Sequence, residues 1–226
     1  MKRVYFLNLF LVLFIAFSLA GCKKTYKPET KEELKVLVDN ESISLGDIDT
    51  SKITDMSELF HYSKRDNFTG IEKWDVSNVT DMTAMFFRVK SFNGDISNWD
   101  VSNVKDMSGM FWSASSFNQY LGIWNVSNVK NMEYMFWGAS NFNGDVSTWN
   151  VSNVEDMRYM FSFAELFNQY LGDWNVSNVK NMEYMFWNAS NFNGDISNWN
   201  VSNVENMKKM FIDSPLESNP PAWYRE

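Results

Sequence analysis

The sequence predicts an α/β solenoid in which each 25-residue turn carries one short parallel strand and one short helix. Three observations predict it. Trp74, Trp99, Trp124, Trp149, Trp174 and Trp199 recur every 25 residues, and the Val-Ser-Asn-Val and Met-x-x-Met-Phe runs behind them recur with the same period. A fixed period of about 20–50 residues marks a chain that grows by stacking turns. Within a repeat, Val79, Met82, Met85 and Phe86 follow helical spacing, with Thr80 or Asn78 as cap and Asp81 at the positive end. Asp95-Ile96-Ser97 alternates with period two, the pattern of a short strand with Ile96 inward. Like strands then stack beside like strands at about 4.8 Å.

Composition narrows the function classes. The 226 residues carry a net charge of −8, and loss of Lys2 and Arg3 with a leader takes it to −10. An acidic chain argues against a nucleic-acid partner. Fourteen Met and ten Trp follow from repetition of one motif, and a single Cys excludes a disulfide within the chain.

Taken in order, residues 1–21 read as a signal peptide. Met1-Lys2-Arg3 is the positive region and Val4 to Phe17 the apolar one, too short to span a membrane as a helix. Leu19-Ala20-Gly21-Cys22 resembles the bacterial lipobox. That resemblance makes Cys22 the lipidated first residue of the mature chain, held to a membrane by acyl chains. Lys23 after it leans to the outer membrane where there is one. Residues 22–29 form a tether. Residues 30–47 form an N-terminal cap, opened by the Thr30-Lys31-Glu32-Glu33 capping box and a helical stripe of Leu34, Leu37 and Val38. The repeats run from 48 to 211. The first is divergent, with an irregular charged turn at 61–67 that contains the chain's one His, His61. Residues 212–226, broken by Pro215, Pro220 and Pro221, form the C-terminal cap, with Trp223 or Tyr224 packing on the last turn.

The run Trp-Asp-Val-Ser-Asn-Val-x-Asp-Met-x-x-Met-Phe with Phe-Asn-x-Asp-Ile-Ser resembles the BspA-like leucine-rich-repeat surface proteins, in their 25-residue lipoprotein-associated subtype. The resemblance covers about residues 30–211. It implies a right-handed, leucine-rich-repeat-like solenoid, and a role as a surface protein, in some members as an adhesin. Phe, Trp and Met stand here where ordinary leucine-rich repeats have Leu.

Two sets of side chains are candidates for ligand binding. Strand triplets alternate with a period of 50 and place Asp95, Tyr120, Asp145, Tyr170 and Asp195 in one outward row, beside Ser97, Gly122, Ser147, Gly172 and Ser197. The row reads either as spacing of like charges and duplication of a 50-residue unit, or as an acidic, aromatic recognition strip. Trp112, Trp137 and Trp187 follow the Met-Phe pair of their repeats, with Phe87, Ser162 and Ile212 in that slot elsewhere. They read either as packing or as a ridge of exposed aromatics that stacks on a sugar or a partner. The asparagine columns through Asn78 and Asn93 read as structural ladders. Paired Met residues read as core, not as soft-metal ligands, and no catalytic, metal or cofactor motif stands out. The sequence therefore predicts a non-enzymatic, lipid-anchored protein of the cell envelope, at the outer membrane or cell surface. It binds a host or bacterial surface protein or glycan, or serves as a spacer with no dedicated ligand.

Overall fold

The computed structural model describes residues 25–225. The signal peptide at 1–21 and the lipidation site Cys22 lie outside the described residues. The chain winds into a stack of 25-residue turns, and single parallel bridges link Asp55, Asp81, Asp106, Asn131, Asp156, Asn181 and Asn206 in succession.

The predicted helix and strand of each turn are not formed. Among the described residues the one α-helix is α1, Lys31–Asp39, and the bridges are isolated contacts rather than strands. The expected α/β, leucine-rich-repeat-like solenoid is thus replaced by a coil built from turns.

The residues expected to be helical show why. The amides of Met82, Ala84, Phe86 and Arg88 donate forward to the carbonyls of Asp106, Ser108, Met110 and Trp112 in the next turn, at 3.0, 2.8, 2.9 and 2.6 Å. The intervening amides of Met85, Phe87 and Val89 donate to carbonyls three residues back. Each successive amide therefore has a partner. A helix of seven to nine residues would leave its first four amides and last four carbonyls unpaired. The turn-built wall satisfies them, and stacking repeats the gain.

Such a wall needs left-handed residues. Two columns supply them: Glu58, Ala84, Gly109, Tyr134, Tyr159, Tyr184 and Lys209, and Tyr62, Arg88, Ser113, Gly138, Phe163, Asn188 and Asp213, all with φ between +51° and +66°. Only Gly109 and Gly138 take this conformation without a Cβ penalty, which for other residues is about 1–2 kcal/mol. The inter-turn bonds offset it, because from Glu58 to Tyr184 and from Tyr62 to Asn188 each of these residues donates forward.

The expected strand fails for a different reason. The Ile96 carbonyl accepts both the Trp99 amide and the Trp124 indole N–H, each at 3.1 Å. The indole thus takes the acceptor that a parallel neighbour's amide would use. The Asp95 carboxylate takes the Ser97 amide at 3.0 Å, closing an Asx turn.

Identical side chains stack in columns through the core. Phe60, Phe86, Phe111, Phe136, Phe161, Phe186 and Phe211 lie near-parallel at 5.4–6.0 Å from turn to turn. The Trp74–Trp99, Trp124–Trp149, Trp149–Trp174 and Trp174–Trp199 pairs stack at 6.3–6.5 Å. Each of these indoles donates to a carbonyl of the preceding turn. The asparagine columns do likewise. Asn103 Nδ2 donates to the Ser77 carbonyl at 2.8 Å, and Asn93 Oδ1 accepts the Asn118 amide at 3.0 Å.

The first turn is closed by α1, which buries Leu34 and Val38. Thr30 caps it by accepting the Glu33 amide, and the Glu33 carboxylate takes the amide of Glu29, one residue before the cap. Lys31 reaches down to Asp55 at 3.3 Å and to Ser57. The irregular turn at 61–67 delivers Arg65, only 3% exposed, under the end of α1. Its guanidinium donates to the carbonyls of Val38, Asn40, Ile43 and Asn67.

Candidate functional site

The outer surface of the turn-built wall carries the left-handed columns and the slot that follows each core Phe. The slot is filled largely by aromatics, and the columns add Tyr62, Tyr134, Tyr159, Phe163 and Tyr184. From turn to turn the rings of His61, Phe87, Trp112, Trp137, Phe163 and Trp187 follow at 4.6, 5.0, 5.1, 5.4 and 4.5 Å, tilted or edge-on. A second line leaves Trp112. Tyr134, Tyr159 and Tyr184 stack beyond it at 4.4, 4.6 and 4.9 Å, within 19° of parallel, and rejoin at Trp187. The strip spans six turns.

Local sequence explains two irregularities in it. Gly109 has no side chain, so Trp112 folds over it with Cε3 3.7 Å from where a Cβ would stand, and takes the place of a tyrosine in the stack. Its indole N–H has no acceptor there among the described residues. In the fifth turn the slot holds Ser162, fully buried and donating to the Tyr184 carbonyl. Phe163, one residue later, carries the ring contacts across that turn. The 25-residue register is broken, but the line of rings is not.

Cations close both ends. Arg88 lies 5.5 Å from the Tyr62 and Phe87 ring centres, and Lys209 lies 5.8 Å from that of Tyr184. Beside the stack, Arg158 pairs with Glu133 at 2.7 Å and Asp156 at 3.2 Å. Burial, then the neighbouring Tyr134 and Glu183, pushes the Tyr159 hydroxyl up to about 12. Burial and Glu133 likewise push Tyr134 up. The Tyr134 and Tyr159 phenols therefore stay protonated and can donate.

Stacking also limits what the strip can do. Rings 4.4–4.9 Å apart leave no space for a pyranose between their faces. They present edges and hydroxyls outward, which suits acceptors and other ring faces. Among the described residues no group of three or more His, Cys, Asp or Glu is placed to hold a metal.

The two predicted sets lie in different parts of the turn, and among the described residues no ring contact or hydrogen bond joins them. Trp112, Trp137 and Trp187 are in the strip. In the other row, Asp95, Asp145 and Asp195 each accept the amide two residues on, from Ser97, Ser147 and Ser197. Tyr120 and Tyr170, each 50% exposed, lie over Gly122 and Gly172, where a Cβ would come within 2.5–2.6 Å of the phenol oxygen. Asp with Ser and Tyr with Gly are thus two closures of one turn. The Gln119 side chain donates back to Asn93, and a Cβ on Gly144 would stand 2.3 Å from the Gln119 carbonyl. This interlock gives the 50-residue period a packing cause.

Sequence reasoning missed Tyr134, Tyr159, Tyr184, Phe163, His61 and Tyr62 as members of the strip. The 25-residue recurrence of the three tyrosines was a signal for them, as was the Phe beside the odd Ser162. A family model described as "Mycoplasma protein of unknown function, DUF285" matches residues 32–140 and again 120–223. No curated protein and no solved structure matches the chain.

Proposed function

The chain belongs to the DUF285 family, whose function is unknown, and from that premise we propose that it is a binding protein of the bacterial surface that engages partner proteins through the aromatic strip. The observation that carries this reading is the unbroken line of rings from His61 to Trp187, kept through Phe163 where Ser162 interrupts the repeat. Core packing does not require it, since the rings lie outside the buried Phe column. A partner protein suits the strip better than a glycan, because the tyrosine faces are covered by one another. Anchoring through a lipid on Cys22, display at the cell surface and kinship with BspA-like surface proteins are parts of the same proposal. They rest on the Leu19-Ala20-Gly21-Cys22 run and the Trp-Asp-Val-Ser-Asn-Val motif. The proposal is for adhesion without catalysis.

Changing Trp112, Trp137 and Trp187 together to Ser copies the residue already tolerated at Ser162. Adherence of the purified triple variant to host or bacterial cells is expected to fall at least about tenfold, as loss of aromatic anchors does, with the fold retained. Unchanged adherence removes the strip as the contact surface. Protease shaving of intact cells is expected to cleave the protein while a periplasmic control survives. Protection until the envelope is broken replaces adhesion with a spacer role.

A further inference from the structure

The last turn ends on an unusual edge. In an ordinary β-strand edge, amides and carbonyls alternate. Here, across the wall that carries the left-handed columns, forward-pointing groups are amides and backward-pointing groups are carbonyls. Only at the start of the wall does a carbonyl point forward, as that of Lys180 does to the Glu205 amide, which leaves the Glu205 carbonyl at the head of the last row. In the final turn the carbonyls of Asn206, Lys208, Met210 and Ile212 are taken by the amides of Met182, Tyr184, Phe186 and Asn188. The forward amides of Met207, Lys209 and Phe211 have no acceptor among the described residues. The fourth amide of the row, Asp213, is filled by a side chain: Glu217 Oε2 accepts it at 2.9 Å. A carboxylate therefore serves where the next turn's carbonyl would stand.

The surroundings favour more of the same. Two shallow clefts of about 340 and 200 Å³ meet at Lys208. Lys209 and Glu183 line the first and Arg225 and Glu205 the second, so three cations and two carboxylates border the row, with a net positive balance. The open amides belong to alternate residues, with Lys208 and Met210 between them already bonded, and a row of backbone donors pointing one way favours negative charge. We propose that this C-terminal edge is a docking site for an extended acidic segment of a partner polypeptide, whose carboxylates accept the free amides and face Lys208, Lys209 and Arg225.

Two such edges would bring their amide rows together, donor to donor. Head-to-tail stacking, in which the carbonyl end of another copy meets the row, is the competing occupant, and concentration-dependent dimers are its outcome in the test. The bordering cations and the Glu217 carboxylate already on the row favour a carboxylate instead.

The test uses the full chain with a short Glu-rich peptide and its Gln counterpart. In the free protein, the amides of Met207, Lys209 and Phe211 are expected to exchange quickly, while those of Met182, Tyr184 and Phe186 are protected. The Glu peptide is expected to bind, to slow exchange at those three amides, and to lose affinity as salt rises. The Gln peptide and the double variant Lys208→Glu, Lys209→Glu are each expected to bind at least about tenfold more weakly, as for charge pairs at an interface. Equal binding of the two peptides, protection elsewhere than at the edge, slow exchange of the three amides before any peptide is added, or concentration-dependent dimers that protect them would each overturn the proposal.

Discussion

The two ends of the coil solve one problem in opposite ways. At the N-terminal end a helix covers the core with Leu34 and Val38 and holds the Asp55 and Ser57 side chains through Lys31, and a buried arginine ties the end of that helix to the first turn. At the C-terminal end an irregular tail imitates the next repeat. Trp223 stacks on Trp199 at 6.0 Å and donates its indole N–H to the Ile196 carbonyl, as each repeat Trp does one turn earlier. Tyr224 packs edge-on to Phe211 at 5.0 Å. The tail covers the core columns but leaves three wall amides open. A stack of like turns can therefore end by a dedicated cap or by copying its own core, and both leave wall backbone open. Among the described residues the carbonyls of Asp55, Ser57, Leu59 and His61 have no donor at one end, and the amides of Met207, Lys209 and Phe211 no acceptor at the other.

Arg65→Ala should break the comparison most severely. It leaves the carbonyls of Val38, Asn40 and Ile43 without their charged donor in a buried place, and loses hydrogen bonds to a charged group worth about 1.5–3 kcal/mol each. A loss of at least about 3 kcal/mol is expected, read from urea unfolding. Trp223→Ala comes next. The side chain is half-buried, so about 2 kcal/mol is expected, at or below the low end for core aromatics. Amide exchange should rise around Ile196 and Phe211 and stay unchanged in α1. Equal loosening of both ends would show that the caps are coupled through the stack.

Acid should separate the ends more gently. Burial raises the Asp55 carboxyl, but the Ser57 hydroxyl and amide and the Lys31 ammonium outweigh it and leave it below its usual 3.8. Its folded value is depressed, so its contribution is present above 3.8 and is lost as pH falls through the lowered value. Pepsin cleavage around α1 should increase as pH drops through that range, relative to cleavage of the tail in the same sample. The smallest expected effect is a gain. Glu58→Gly and Lys209→Gly each relieve a left-handed residue, offset by the extra chain freedom of glycine, and should stabilise by about 0.5 kcal/mol. Thermal melts of the two variants would show whether left-handed strain is equal at the two ends.

Much of this was legible in the repeat. The 25-residue period, the stacked core columns and the asparagine ladders all follow from residues that recur in register. The wall was not. Val79, Met82 and Met85, then Phe86, Val89 and Phe92, are buried at strict three-residue spacing. Successive three-residue turns produce the same local pattern as a short helix. The usual flag for left-handed backbone, glycine, stands at only Gly109 and Gly138 in the two columns. Twelve other residues hold that conformation because the stack supplies their partners, which one repeat cannot reveal. Trp112, Trp137 and Trp187 were visible as a slot. The continuity through Phe163 and the tyrosine stack depends on how that slot and the left-handed column face the same side.

The most direct measurement is the backbone conformation of Tyr134, Tyr159 and Tyr184, from NMR couplings and chemical shifts of the labelled full chain. The turn-built wall predicts left-handed values at all three, with inter-turn hydrogen-bond couplings from their amides to Arg158, Glu183 and Lys208. Right-handed helical values, with amides bonded four residues back, would contradict the wall, the strip it displays and the open edge at its end.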